Sequence, residues 1–235
     1  MSSSSRLRGT LKKLPAFRST FYLGMVLRQM VEDQWKEPGS FDDIFGSSED
    51  PWDSRSESER ERFAVTLETL AAAETSRFHA ALELGCAEGI FTEKLAPMCD
   101  RLTGFDFSEV ALVRARARLA DNGNVELKRW DMRTEPIEGS YDLVVAMGVI
   151  TSLYRPRDVR NISRSIVAAL VPHGYLLFSD VRQSRVFETS WWGPMMLRGG
   201  EQIRRYLTAL PDLDVIHTAD TDSHVFALYR RRART

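Results

Sequence analysis

The sequence predicts an α/β protein: a seven-stranded, mainly parallel sheet with helices on both faces and a C-terminal antiparallel hairpin. Three observations carry this reading. From residue 80 onward short apolar runs alternate with amphipathic stretches, a glycine loop ("ELGCAEG") leaves the first of those runs, and only residues 218–223 separate the last two. That final gap is too short for a helical crossover, so the last two runs pair antiparallel.

Two segments of opposite charge precede the alternation. The first carries Arg6, Arg8, Lys12, Lys13, Arg18 and Arg28 with no carboxylate before Glu32, and Leu7, Leu11, Leu14, Phe17 and Phe21 recur at helical steps. This is the pattern of a basic amphipathic helix, interrupted or restarted at Pro15, that packs on or closes over the main domain. A helix making membrane-surface contact and an organelle transit peptide share the composition. Residues 39–61 are acidic and turn-rich, with Asp42, Asp43, Glu49, Asp50 and Pro51-Trp52, and read as a lid or linker. The expected division is a basic helical extension with its acidic lid over residues 1–55 and one α/β domain over 56–235.

The elements of that domain follow in order. A helix is expected over 56–76, where Phe63, Val65, Leu67, Leu70 and Ala71 stand behind an acidic first turn suited to the positive end of the helix dipole. Strands are expected at 80–84, 101–105, 125–130, 141–147, 175–179, 213–217 and 224–229. Helices at 90–96, 108–121 and 157–170 lie between the first five strands, and a further one near 201–210 precedes the hairpin.

The totals bound the partners. A formal net charge of -1 offers no global field to a polyanion, so nucleic acid is not expected. The longest uncharged stretches, 143–154 and 165–179, fall short of the roughly 18 to 20 apolar residues that a membrane helix needs, so no transmembrane segment is expected. Cys86 and Cys99 form no CxxC pair, which argues against a disulfide framework or a metal site and suits a reducing cytoplasm.

The loop between the first strand and its helix has glycine at 85 and 89. A dinucleotide fingerprint has glycine at relative positions one, three and six, whereas Ala87 and Ile90 occupy the last two here, and no Lys-Ser/Thr follows to make a phosphate-cradling loop. An NAD-dependent oxidoreductase is therefore disfavoured. Glu83, two residues before the first glycine, suits a ligand with a cationic amino-acid portion. Asp106 in "GFDFS" ends the next strand, where a carboxylate accepts both hydroxyls of a ribose. Asp131 in "RWDMR" ends the third, placed to accept from an exocyclic amine such as that of adenine.

Together these elements resemble the class I S-adenosylmethionine-dependent methyltransferases over about residues 80–230. The resemblance implies a Rossmann-like fold and S-adenosyl-L-methionine as cofactor, with S-adenosyl-L-homocysteine as product. The implied cofactor-binding set is Glu83, Gly85, Cys86, Ala87, Gly89, Asp106, Phe107, Asp131, Met132 and Met147. "LVPHGYLLFSD" looks like the family's turn into the fifth strand, with His173 where glycine is common. A narrower resemblance, carried by "EDPWDSRSESERERFAVTLETL" and "GCAEGIFTEKLAPMCDRL", is to the nodulation protein S group, which N-methylates an amino sugar. Against that group Gly148 replaces an acidic residue and Thr151-Ser152 an aromatic pair, so the expected acceptor is a small molecule or carbohydrate, methylated on nitrogen or oxygen. A methyltransferase-like binding scaffold without turnover is the alternative.

A sulfonium methyl is already electrophilic, so the protein must chiefly align the acceptor and exclude water; a hydroxyl acceptor also wants a base. Asp180, ending the fifth strand, and Tyr154, after the fourth, are the catalytic candidates. His79, His173, His217 and His224 are expected to be structural. Trp52, Trp191 and Trp192 are the candidates for substrate binding, since aromatic surfaces suit sugar or ring faces.

Overall fold

The computed structural model describes residues 39–153, 156–182 and 199–233. By its contacts the chain divides into residues 1–40 and residues 41–235, and the sheet belongs to the second unit. The expected basic helix lies outside the described residues.

Helix α1 covers Gly39–Ser47 and α2 covers Glu57–Leu70. Ser56 caps α2 by accepting the Glu59 N–H at 3.2 Å, with Glu57 and Glu59 in the first turn. The helix stops short of the expected residue 76. The Ala72 and Ala73 amides tighten onto the Thr69 and Leu70 carbonyls, and the hydroxyl of Tyr175 accepts the Glu74 N–H at 3.1 Å, so a tertiary partner ends what local spacing would have continued.

There follow β1 (Phe78–Leu84), α3 (Ile90–Leu95), β2 (Cys99–Asp106), α4 (Glu109–Arg118), β3 (Val125–Arg129), β4 (Tyr141–Met147), α5 (Pro156–Ala169), β5 (Leu170–Val181), α6 (Gly200–Thr208), β6 (Leu213–Asp220) and β7 (His224–Arg231). Each expected strand and helix of this region is present. β5 starts earlier than predicted because Leu170 already pairs with Tyr141, before a break in register. Within it His173 adopts a φ of +67°, a left-handed value at the position where glycine was expected.

The sheet order is β3-β2-β1-β4-β5-β7-β6, with β7 antiparallel to both neighbours and the remaining pairs parallel. Alternate residues of the strands feed two cores. Val144 and Ala146 of β4 join Ile162 and Ile166 of α5 and Ile203 and Leu207 of α6 on one face; Leu143 and Val145 join Phe63 and Leu70 of α2 and Phe91 and Leu95 of α3 on the other. Strand order reverses between β1 and β4, so a crevice opens at their carboxyl ends, where open α/β sheets bind ligands.

Candidate active site

The loop that leaves β1 is held in a conformation unusual for most residues. Gly85, Ala87 and Gly89 have φ of +71°, +47° and +76°. A Cβ on Gly85 would stand 3.0 Å from Val149 Cγ2, and one on Gly89 would stand 2.9 Å from Leu119 Cδ1. Neighbouring protein, as well as backbone angle, therefore demands these glycines. Ala87 bears the cost of a left-handed residue with a Cβ, about 1 to 2 kcal/mol. Cys86 turns under the loop against Gly104, whose hypothetical Cβ would be 3.1 Å from its Sγ, and burial pushes its thiol pKa well up.

Asp106 fixes this loop. Its Oδ2 accepts the Ala87 N–H at 2.8 Å and its Oδ1 accepts the Ser108 N–H at 2.9 Å. Burial raises its pKa, opposed by the amides of Ser108, Ala87 and Phe107, while the charge of Asp42 raises it further. The carboxylate does not cap α4; Ser108 does, accepting the Ala111 N–H at 3.2 Å. Each Asp106 oxygen keeps a second lone pair for a hydroxyl.

Beneath the loop Glu83 is 1% exposed, and neither its Oε2 nor the neighbouring Thr92 Oγ1 completes a hydrogen bond. Burial pushes its pKa to about 7, opposed by the nearby Thr92 hydroxyl and assisted by the charge of Asp106. An orphaned carboxylate oxygen under a glycine loop fits the ammonium of an amino-acid ligand. An Asp on the adjoining strand fits its ribose.

Asp131 sits at the end of β3 but is already engaged. Arg133 donates to it through Nε at 3.1 Å, Nη2 at 3.0 Å and its own backbone N–H at 2.9 Å. Burial would raise the carboxylate's pKa, but these Arg133 bonds outweigh it and hold it below the usual range. Phe107 carries cations near its ring, Arg129 at 5.1 Å and Arg133 at 5.6 Å, and Phe41 of α1 meets it edge-on at 6.1 Å. Met132 packs, partly buried, against the core on the α5 side.

The acidic segment before α2 closes over this end of the sheet. Asp42 Oδ1 accepts from the Ser108 hydroxyl at 2.6 Å and the Val110 N–H at 3.3 Å. Arg114 ties three elements together: Nη1 donates to Glu88 Oε1 at 2.6 Å and to the Ser48 carbonyl at 3.0 Å, and Nη2 to the Phe45 carbonyl at 2.7 Å. Trp52 is 39% exposed and meets Phe45 edge-on at 6.0 Å.

At the ends of β4 and β5 the Thr151 hydroxyl donates to Asp180 Oδ1 at 2.6 Å and its N–H to Oδ2 at 3.2 Å, while the Val181 N–H reaches Oδ1 at 2.9 Å. Burial raises Asp180 to about 6 against these bonds and the charge of Arg62. Met147 faces α2, receiving the Thr66 hydroxyl on its sulfur at 3.8 Å. His224, expected to be structural, lies at this same edge, because β7 runs antiparallel and pairs it with Val181. Burial and the charge of Arg62 lower its pKa to about 4, so it is neutral at pH 7. The structure thus brings Glu83, the loop, Asp106, Asp180 and Met147 to one edge. Tyr154, Trp191 and Trp192 lie outside the described residues.

Sequence reasoning missed Asp42, Arg62, Arg114, Thr151 and His224. Antiparallel pairing, already inferred, was the signal for His224. The Glu59-Arg62 pair, three apart on α2 and joined at 2.5 Å, was readable from helical spacing.

Comparison with known proteins identifies the family. Residues 46–206 match the family model for nodulation protein S (NodS). Nodulation protein S of Rhizobium tropici is 29% identical over 211 residues, 80% of this chain and 86% of that protein. That of Sinorhizobium fredii is 34% identical over 137 residues, 57% of this chain and only 62% of that protein's length. Among solved structures, the N-methyltransferase NodS from Bradyrhizobium japonicum in complex with S-adenosyl-L-homocysteine superimposes with a TM-score of 0.68 at 28% identity, covering 78% of this chain and 93% of that one. The match runs through the glycine loop, the acids at the ends of β2 and β3 and the helix before β1, and the chain belongs to the nodulation protein S family of S-adenosylmethionine-dependent methyltransferases.

Proposed function

We propose that this chain transfers a methyl group in line from S-adenosylmethionine to a nitrogen, or alternatively an oxygen, of a small-molecule or carbohydrate acceptor. One observation carries the cofactor half of this reading: a buried Glu83 oxygen without a partner lies under a loop that Asp106 clamps at Ala87. When bound, the cofactor supplies an electrophilic methyl on a sulfonium. Glu83 takes the ammonium of its amino-acid part, Asp106 the ribose hydroxyls, and Asp131 the adenine amine through a lone pair that Arg133 leaves open. Phe107 and Met132 line the base. The N-methyltransferase activity of the NodS structural relative favours nitrogen as the acceptor atom.

On the acceptor side the geometry supports Asp180 as a positioning residue. Its carboxylate is 1% exposed and committed to Thr151 and Val181, so it fixes the 150–152 turn beside the site instead of meeting the acceptor itself. A neutral amine needs alignment more than a base. Tyr154, Trp52, Trp191 and Trp192 remain our proposed acceptor contacts.

The test is Asp106→Asn, which retains shape but turns one oxygen into a donor facing an amide. We expect affinity for S-adenosyl-L-homocysteine by calorimetry to fall by about 1 to 3 kcal/mol, the cost of leaving buried polar groups unpaired. An unchanged dissociation constant contradicts the ribose assignment.

A further inference from the structure

In-line transfer requires the acceptor to stand on the far side of the methyl from the sulfur. Glu83, Asp106 and Asp131 assign the ends of β1, β2 and β3 to the cofactor, and the order β3-β2-β1-β4-β5-β7 leaves the ends of β4, β5 and β7 for the acceptor. We propose that His224, at the start of β7, contacts the acceptor there, its Nε2 hydrogen-bonding the reacting amine or a hydroxyl beside it; the inference rests on the methyltransferase reading above. Four observations point to it.

The first is position. Of the four histidines, His79 lies near the amino end of β1 beside Asp100, His173 lies early in β5, and His217 stands exposed on β6, the edge strand. His224 alone reaches the carboxyl edge, where it pairs with Val181, the last residue of β5. The second is the face it shares. Leu177 and Leu228 belong to the core under α2, so Ser179 and His224, at even steps from them, turn the same way. Ser179 pairs with Phe226 on one side and Met147 on the other. It is thus the diagonal neighbour of His224, a step of roughly 7 to 8 Å between strands.

The third is that Ser179 is 0% exposed and its Oγ has no hydrogen-bond partner. A hydroxyl left unpaired in an apolar layer is unfavourable, and a polar guest beside His224 would relieve it. The fourth is a fixed ring with one nitrogen unspent. Nδ1 lies 2.8 Å from Ser223 Oγ and the backbone N–H donates to Thr221 Oγ1 at 3.0 Å, while Nε2 makes no hydrogen bond among the described residues. Burial, then the charge of Arg62, keeps the ring neutral at pH 7. The Ser223 hydroxyl can donate to Nδ1 or accept from it, so Nε2 is free to accept an amine N–H or to donate to a sugar hydroxyl.

Accepting the amine's N–H turns its lone pair toward the methyl. That pair forms the N–C bond as the S–C pair returns to sulfur, and the proton of the resulting ammonium passes to solvent, because a ring this reluctant to charge is a poor base.

The test follows labelled methyl transfer from S-adenosylmethionine to a glucosamine trisaccharide by the full chain, by His224→Phe and by His224→Gln. Phenylalanine keeps a ring and loses both nitrogens, whereas glutamine keeps a polar group at a similar reach. We expect KM for the trisaccharide to rise at least tenfold in His224→Phe, with S-adenosyl-L-homocysteine affinity by calorimetry within twofold of the parent, and His224→Gln to recover part of the loss. If the phenylalanine variant does not fold, a rise of at least threefold in His224→Gln at unchanged S-adenosyl-L-homocysteine affinity is the expected reading. An unchanged KM, or S-adenosyl-L-homocysteine affinity falling in step with it, would return His224 to a structural role and overturn the proposal. So would a parent chain that binds S-adenosyl-L-homocysteine yet transfers nothing to the trisaccharide. A parent chain that does not bind S-adenosyl-L-homocysteine would instead sink the cofactor reading on which the proposal stands.

Discussion

Glu83 and Asp106 are carboxylates at the ends of adjacent strands, yet their surroundings give them different work. Asp106 spends one oxygen on the Ala87 amide of the glycine loop and the other on the Ser108 amide, whereas Glu83 is buried with an oxygen unused and a pKa pushed up to about 7. Because its folded pKa lies above the ordinary 4.5, Glu83 favours the folded state at acid pH, and that contribution fades as pH rises through about 7. A ligand ammonium beside it reverses the preference, so binding should release a proton. We expect S-adenosyl-L-homocysteine affinity to climb between about pH 6 and 8, with proton release visible as a buffer-dependent binding enthalpy, and Glu83→Gln to abolish both. Glu83 and Asp106 were legible because they stand at fixed steps around a glycine loop. The Glu59-Arg62 pair was legible too, from its helical spacing, whereas the approach of Arg62 to Gly148 was not, since Gly148 is distant in sequence and has no side chain to announce a contact.

At the scale of elements, α1 shows where local reading runs out. Residues 39–61 carry acid and turn formers, so the sequence suggested a lid or linker without specifying a helix within it, and residues 39–47 are helical. Its last carbonyls find a cation in Arg114, which also holds Glu88 in the glycine loop. That bond spans 69 positions from Phe45 and leaves no trace in periodicity. Arg114→Ala should therefore loosen residues 41–52 selectively. We expect faster amide hydrogen exchange there and a stability loss of about 1 to 3 kcal/mol by chemical denaturation, with protection of β1 and β4 retained relative to the segment. Helix α2 gives the converse case: its cap and acidic first turn were readable, but its end depends on Tyr175, a residue of the far strand.

For the molecule as a whole, the order of strands was legible because parallel connections need helices and the final pair had no room for one. What the sequence reading did not draw out is that this return matters to the site. β7 crosses both cores, with Val225, Ala227 and Tyr229 on one side and Leu228 on the other, and begins beside the end of β5. Burying each such side chain contributes about 1.5 to 3 kcal/mol, so several of them approach the whole stability of a domain. A chain ending at residue 212 should fail to fold cooperatively, as measured by circular dichroism melting. Val149 adds a different lesson. Since its Cγ2 nearly touches the turn proposed to receive the cofactor, that turn and any wall that the segment after β4 offers an acceptor would be two sides of one partition. Variants selected for a bulkier acceptor at that wall would then carry a hidden tax on cofactor hold, and compensating changes should surface in residues 85–89.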